Sequence, residues 1–201
     1  MSADGLPFSP AAERNAAPIL EVLRAQLPAE AEVLEIASGT GQRAARHAGA
    51  QPGWRWQPTG ADPAMLRAIA ARCAGLPNVC PPIALDVRKA WPDSMRRFDA
   101  VYVANLLHIA PWPACAALMA GAAPRLLPGG ALLVYGPFLI DGEPTAPSNL
   151  AFDADLRARD PAWGLRRLAD VEREATAVGL APAARVPMPA NNQLLVFRRP
   201  A

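Results

Sequence analysis

Residues 33–42, Val-Leu-Glu-Ile-Ala-Ser-Gly-Thr-Gly-Gln, join an apolar run to a turn that contains two glycines. The run predicts a buried strand, and the turn predicts the start of a helix. Gly39 and Gly41 carry no Cβ, so their backbone can adopt tight dihedral angles and lie close to a ligand. The N–H groups of the following helix point into the same space. The stretch therefore predicts a nucleoside-binding pocket in an α/β protein.

The glycine turn fits two cofactor classes. In the pattern G-x-G-x-x-A, Gly39, Gly41 and Ala44 match a dinucleotide-binding fingerprint. Asp62, about 20 residues further on, then stands where an acid binds the ribose. In the pattern E-x-A-x-G-x-G, the turn instead resembles motif I of class I S-adenosylmethionine-dependent methyltransferases, with Glu35 as the acid. The glycines leave both classes open, and a tight turn without a ligand is a third interpretation.

Composition limits the class of protein. The chain has 201 residues, of which 52% are hydrophobic, so we expect residues 1–201 to form a single domain. The net charge is only +2, and residues 152–179 interleave five arginines with six acids, which favours a solvated helical surface over a nucleic-acid groove. The chain has no basic-then-apolar leader pattern and no apolar run long enough for a bilayer. We expect a cytoplasmic protein that binds neither nucleic acid nor membrane.

Three cysteines, Cys73, Cys80 and Cys115, are widely spaced along the chain. Their odd number predicts free thiols in a reducing compartment rather than a disulfide frame. They form no C-x-x-C pair, and only His47 and His108 are present to join them. We therefore expect no metal site.

Apolar runs alternate with amphipathic ones, which predicts a parallel sheet with crossover helices. The expected strands are 33–37, 54–58, 79–85, 98–104, 131–135, 183–186 and 193–198, and the expected helices are 18–26, 41–48, 63–71, 113–127 and 168–178. Asn191 and Asn192 predict a hairpin turn between the last two strands. The expected fold is therefore α/β and Rossmann-like, with a mostly parallel sheet of seven strands and an antiparallel last strand.

Polar residues follow several of these strands and are expected to meet at one edge of the sheet. Asp62 follows the second strand, Asp86 the third, and Asn105 and His108 the fourth. Ligands bind at this edge in open α/β sheets. Asp62 has two interpretations, because it could accept hydrogen bonds from a ribose or cap the helix that begins at Pro63.

The residues of short-chain dehydrogenases are missing. Lys89 is the single lysine of the chain, and neither Tyr102 nor Tyr135 has a lysine four positions later. The nicotinamide interpretation is therefore the less favoured of the two.

Seven segments closely resemble the methyltransferase-like protein 26 family, and the resemblance runs nearly end to end. They are 9–15 (SPAAERN), 35–42 (EIASGTGQ), 56–59 (WQPT), 102–109 (YVANLLHI), 135–138 (YGPF), 148–153 (SNLAFD) and 160–164 (DPAWG). The resemblance implies a single-domain class I methyltransferase fold, a Rossmann-like three-layer sandwich that binds S-adenosylmethionine.

The resemblance also implies a cofactor site. It places Glu35 near the methionine part and Asp86 and Val87 beside adenine. The backbone side of the cofactor would be wrapped by Ser38, Gly39, Thr40 and Gly41. The floor of the site would be formed by Asn105 and Leu106. The family commonly has a ribose-binding acid where this chain has Gly60, and Asp62 could reach in instead.

Residues near the predicted pocket could hold and activate a methyl acceptor. His108 is the better placed histidine for general-base catalysis, and Tyr135 could donate a hydrogen bond. The insert at 141–166 predicts a lid or acceptor site. The expected acceptor-binding residues are Phe138, Asn149, Phe152, Asp153, Trp163 and Asn191, although packing alone would also explain the aromatic ones.

Two functions are consistent with the sequence. The first is methyl transfer from S-adenosylmethionine to a small molecule, carried by proximity with general-base help from His108. The second is a non-catalytic S-adenosylmethionine or nucleoside-binding protein that acts as a partner subunit. The acceptor and the oligomeric state are not predicted.

Overall fold

A mixed seven-stranded sheet forms the centre of the computed structural model, which describes residues 5–92 and 94–201. The helices are α1 (Pro10–Gln26), α2 (Gln42–Ala50), α3 (Pro63–Cys73), α4 (Pro113–Ala122), α5 (Pro147–Arg159) and α6 (Leu168–Ala177). The strands are β1 (Ala31–Ile36), β2 (Trp54–Gly60), β3 (Ile83–Ala84), β4 (Phe98–Ala104), β5 (Leu126–Gly136), β6 (Phe138–Leu139), β7 (Arg166–Arg167), β8 (Ala181–Met188) and β9 (Asn192–Arg198). Short 3₁₀ turns lie at Leu107–Ile109 and Ala123–Arg125.

The strand order of the central sheet is β3-β2-β1-β4-β5-β9-β8. Strands β1 to β5 pair in parallel, whereas β9 runs antiparallel to both β5 and β8. The predicted α/β class, with an antiparallel last strand, is therefore confirmed. The order reverses between β1 and β4, so the loops after these two strands diverge and leave a crevice at their carboxyl ends.

Two hydrophobic cores cover opposite faces of the sheet, as a three-layer sandwich requires. Side chains alternate along β1, so Leu34 and Ile36 belong to one core and Val33 to the other. Helices α4 and α6 cover the first core, and α1, α2 and α3 cover the second. Within the part of the chain that the structure describes, no helix is both long and apolar enough to cross a bilayer.

Helix α1 begins at Pro10 rather than at the predicted residue 18. The Oγ of Ser9 accepts a hydrogen bond from the Ala12 N–H at 3.2 Å, which caps the helix, and Pro10 occupies a first-turn position where its missing N–H is harmless. Pro18 lies inside the helix instead of opening it. The prediction was wrong because it took Pro18, rather than Pro10, for the proline in the first turn.

Prolines also shorten two other predicted elements. The predicted strand 79–85 is reduced to β3 and one bridge between Val79 and Trp56, since Pro81 and Pro82 lack the N–H that pairing needs. The predicted helix 113–127 ends at Ala122, after which the 3₁₀ turn contains Pro124. Strand β5 then begins five residues earlier than predicted, at Leu126.

The segment 141–166 contains a helix that the sequence did not predict. This helix, α5, is followed by β7, which pairs in parallel with β6. Strand β8 is longer than the predicted 183–186, although it contains Pro182 and Pro187. It lies at the edge of the sheet, where prolines are tolerated.

Gly121 of α4 packs against the indole ring of Trp91. A Cβ added at Gly121 would overlap that ring, with only 2.7 Å to its Cδ2 atom. We expect Gly121→Ala to lower the free energy of unfolding by about 1–3 kcal/mol because the core must shift, although alanine favours a helix by about 1 kcal/mol. Urea unfolding measures the change.

Gly49→Ala in α2 is the matched control. A Cβ there would lie 3.6 Å from Leu76 Cδ2, which is ordinary van der Waals contact, so we expect no loss of stability. Equal stability of the Gly121→Ala variant and the wild type would contradict the packing argument.

Candidate functional site

A cavity of about 390 Å³ lies at the carboxyl ends of β1 to β4, where the strand order reverses. Ile36 and Ala37 line it at the end of β1, Ala61 after β2, Leu106 after β4, and the run 85–88 after β3. Open α/β sheets bind their ligands at this position. The predicted crevice is therefore present, and it is walled mainly by apolar side chains with a few polar groups.

The glycine turn after β1 contributes Ala37 to the lining of this cavity and contains several positive φ angles. The φ angles are +53° at Ala37, +57° at Gly39 and +75° at Gly41. A Cβ at Gly41 would lie 3.0 Å from Ile69 Cα, so packing against α3 also requires this glycine. A Cβ at Gly39 would meet nothing within 4 Å, so the space beside Gly39 is open to a ligand.

Hydrogen bonds lock the turn onto the end of β2. The Oγ1 of Thr59 donates to the Glu35 carbonyl at 2.8 Å, and the Thr59 carbonyl accepts from the Ser38 N–H at 2.8 Å. The Thr59 N–H donates to Ser38 Oγ at 3.1 Å. Thr40 Oγ1 bonds Gln42 Oε1 at 2.8 Å, at the start of α2. These hydrogen bonds anchor Ser38 and Thr40 of the predicted cofactor residues 38–41, and none of these four residues lines the cavity.

The residues predicted to flank adenine lie together on the cavity. Asp86 and Val87 line it, together with Leu106, which was predicted to form the floor of the site. The Asp86 carboxylate is bound by the Arg88 guanidinium, with Oδ1 3.1 Å from Nε and Oδ2 3.0 Å from Nη2. These hydrogen bonds hold the pKa of Asp86 below its usual value. Arg88 itself also lines the cavity, which the sequence did not predict.

The far side of the cavity is built from two segments that are distant in sequence. Ile109, Ala110 and Pro111 form a wall between β4 and α4, and Asp160 and Trp163 come from the end of the insert. Trp163, predicted to bind the acceptor, therefore lines the same cavity as Asp86 and Val87, which were predicted to flank adenine. The string at 160–164 was the available signal for the second segment, but its place on the same cavity as Asp86 depends on tertiary folding.

Glu35 lies in the core beneath the turn rather than on the cavity surface. Its side chain is 1% exposed, and Oε2 accepts a hydrogen bond from Trp56 Nε1 at 3.0 Å. Its Oε1 lies 3.9 Å from Arg43 Nε, and neither atom has a hydrogen-bond partner among the described residues. Burial raises the pKa of Glu35, and the nearby Arg43 charge opposes that shift.

The two positions considered for a ribose-binding acid lie at the end of β2 and just before α3. Asp62 Oδ1 accepts a hydrogen bond from the Ala64 N–H at 2.8 Å, so this exposed carboxylate caps α3. Gly60 is the last residue of β2, and its backbone is outside the left-handed region. A Cβ at Gly60 would be 3.5 Å from Leu66 Cδ2, an ordinary contact.

The two predicted catalytic residues do not meet, because His108 lies next to Gly136 at the end of β5, whereas the Tyr135 side chain belongs to the second core on the other face of the sheet. A Cβ on Gly136 would lie 3.4 Å from His108 Nδ1 and 4.0 Å from Asn105 Oδ1, so these groups surround one point. The Phe152 ring contacts the His108 ring edge-on, with centroids 5.5 Å apart. His108 is 5% exposed, and burial, followed by the charge of Arg166, lowers its pKa to about 4. Burial raises the pKa of Tyr135 to about 12.

The remaining predicted acceptor residues are divided between two places. Phe138, Asn149 and Asn191 line a separate cavity of about 150 Å³. Asn149 Nδ2 donates to the Asn191 carbonyl at 3.0 Å, so one of these amides already holds the hairpin turn. Asp153 accepts from the Leu165 N–H at 2.6 Å and from Arg157 Nε at 2.8 Å, which ties α5 to the end of the insert.

Solved structures share this fold over nearly the whole chain. One titled mitomycin 7-O-methyltransferase MmcR superposes with a TM-score of 0.80 at 20% identity, covering 94% of this chain and 54% of that one. An O-methyltransferase family 2 protein from Planctomyces limnophilus, complexed with apigenin, has a TM-score of 0.80 at 21% identity and covers 94% and 58%. Human N-acetylserotonin methyltransferase in complex with SAM has a TM-score of 0.79 at 14% identity and covers 95% and 53%.

These similarities establish the class I methyltransferase fold. The chain spans little more than half the length of the structures it matches, and their identities of 14–21% carry the fold alone. A family model described as "Protein of unknown function (DUF938)" matches residues 6–199. The chain therefore belongs to the DUF938 family.

Proposed function

We propose that this protein transfers a methyl group from S-adenosylmethionine to a small-molecule acceptor. The observation that carries the proposal is the cavity of about 390 Å³ at the reversal of strand order, beside a left-handed glycine turn. The class I methyltransferase fold supports it, as does the resemblance to the methyltransferase-like protein 26 family. Two structural neighbours, mitomycin 7-O-methyltransferase and N-acetylserotonin methyltransferase, are named for small-molecule acceptors, which favours the same acceptor class.

The residues present fit this cofactor. Val87 and Leu106 offer apolar surface for an adenine ring, and Asp86 offers a carboxylate for its amine. The open space beside Gly39 leaves room for a ligand against the backbone of the turn. S-adenosylmethionine, when bound, supplies a methyl group on a positively charged sulfur.

His108 is the proposed general base for a hydroxyl or amine acceptor. Its pKa of about 4 keeps the imidazole neutral at pH 7, so it can accept a proton. Such a low pKa also makes it a weak base, so most of the rate enhancement must come from holding the acceptor in place. Asn105 and Phe152, which lie beside this imidazole, would help to position the acceptor.

A non-catalytic binding protein is the second candidate function. Gly60 provides no carboxylate for a ribose, and the Asp62 carboxylate already caps α3. Incubation with S-adenosylmethionine and a metabolite extract separates the two functions. Formation of S-adenosylhomocysteine supports the enzyme, and binding without conversion supports the partner subunit.

Calorimetric titration tests the cofactor directly. We expect S-adenosylmethionine to bind with a micromolar dissociation constant, because the cavity provides an apolar site with a few polar groups. We expect no heat from NAD. Binding of NAD alone, or of neither ligand, would contradict the proposed function.

Gly60→Asp is expected to tighten the binding of S-adenosylmethionine. A carboxylate at this position adds one charge-assisted hydrogen bond to a ribose hydroxyl, worth about 1.5–3 kcal/mol, or roughly tenfold or more in the dissociation constant. Gly60→Ala is the control, since it fills the same space beside Leu66 without the charge. If both variants bind like the wild type, Gly60 is not at the ribose site.

The lowered pKa of His108 predicts a pH-dependent stability. In the unfolded chain this pKa is near 6.5, and in the folded protein it is about 4, so between these values the unfolded state binds more protons. The stabilising contribution is complete above about pH 6.5 and is lost toward pH 4, by at most about 1.4 kcal/mol per pH unit.

We expect the free energy of unfolding of the wild type to decrease, relative to that of His108→Gln, as the pH falls from neutral to acidic values. Urea unfolding at several pH values measures this difference. His47 and Glu35 are present in both proteins, so their titration cancels. A difference that does not change with pH would show that His108 titrates normally.

A further inference from the structure

Arg166 joins two segments that build the far side of the 390 Å³ cavity. We call residues 107–111 the wall and residues 160–164 the roof. Arg166 Nε donates to the Leu107 carbonyl at 2.9 Å, and Nη2 donates to the Ala110 carbonyl at 2.6 Å. The same Nη2 donates to the Ala162 carbonyl of the roof at 2.8 Å. One side chain therefore connects both segments.

A second connection runs beside the first. The Gly164 N–H donates to the His108 carbonyl at 3.0 Å, so three carbonyls of the wall accept hydrogen bonds from residues 164–166. Gly164 has a φ of +136°, and a Cβ there would lie 2.7 Å from Asp153 Oδ1. The backbone thus needs glycine at the point where the roof meets the wall.

We propose that Arg166 is a positioning residue that clamps the wall to the roof and thereby slows the release of the bound cofactor. This proposal rests on the proposed function for the identity of the ligand. It assigns a role to a residue that touches neither the cavity surface nor the reacting atoms. Arg166 connects Ala110 of the wall to Ala162 of the roof, so the clamp keeps the cavity-lining residues Ile109, Ala110 and Trp163 together.

The chemistry of the clamp requires a guanidinium. Arginine presents several N–H donors in a planar fork, whereas lysine is a single point charge. The guanidinium also lies 5.8 Å from the centre of the Trp112 ring, a cation–π contact that holds its plane. After burial, the positive charge of Arg166 also lowers the pKa of His108, and this pKa provides a second readout.

The test measures the affinity and dissociation rate of S-adenosylhomocysteine by titration calorimetry and stopped flow. We expect Arg166→Gln to weaken binding about tenfold or more, mainly through faster dissociation, since two or more hydrogen bonds are lost. Arg167→Gln is the matched control, because Arg167 is its neighbour in β7 and forms a surface ion pair with Asp141, at 2.8 Å. We expect that control to stay within about twofold of the wild type.

The pKa values of the two histidines separate a clamp from general loosening. His47, like His108, has a pKa of about 4 because of burial, but its neighbouring charges are Arg43 and Arg46. We expect NMR titration of Arg166→Gln to show a rise for His108 and none for His47. A rise for both would overturn the proposal, because it would show a loosened core.

Arg166→Lys keeps the positive charge but loses the planar set of N–H donors. We expect weaker binding of S-adenosylhomocysteine with an unchanged His108 pKa, and this variant carries the test if Arg166→Gln does not fold. Wild-type affinity in either variant would overturn the clamp.

Hydrogen exchange keeps the clamp testable without a ligand. If the wild type fails to bind S-adenosylhomocysteine, the proposed function fails, but the Gly164 N–H still reports on the joint between roof and wall. Faster exchange of this amide in Arg166→Gln than in Arg167→Gln supports the clamp, and equal exchange overturns it.

Discussion

The hydrogen bonds between Thr59 and the turn after β1 are the constraint on which the candidate site depends. They fasten the left-handed backbone at residues 37–41 to the end of β2, and the parallel pairing of β1 with β2 carries that fixation into the sheet. A turn with several positive φ angles would otherwise sample many conformations, because glycine has the most freedom to lose. The hydrogen bonds of Thr59 therefore restrain the backbone at Ser38, directly before the exposed Gly39.

The sequence predicted those parts of the structure that depend on neighbours in the chain. The strand before the turn and the tight path of its glycines follow from local residue types, and the N-terminal cap of α3 by Asp62 was one of the two interpretations of that residue. The crevice was also predicted, because carboxyl ends of parallel strands must meet at one edge. Errors arose where one local signal competed with another, as when Pro18 was taken for the start of a helix that begins at Pro10.

Other features were beyond local reasoning. Glu35 sits in a glycine-rich motif, but the orientation of its carboxyl group is set by Trp56 and Arg43, which come from β2 and α2. Most of the expected acceptor residues lie in or next to the insert, yet Trp163 and Asn149 line different cavities. Asn149 lies in the first turn of α5 and Trp163 follows the end of this helix, which the sequence did not indicate. Long-range packing thus divided a group that appeared uniform in the sequence.

The prolines in the two outermost strands affect how this molecule can associate with others. Strand β3 is only two residues long and follows Pro81 and Pro82, while β8 at the opposite edge contains Pro182 and Pro187. Edge strands with free N–H groups are templates for further strands, and prolines remove those donors. Backbone pairing is therefore disfavoured at both edges, which protects the protein against sheet-to-sheet aggregation.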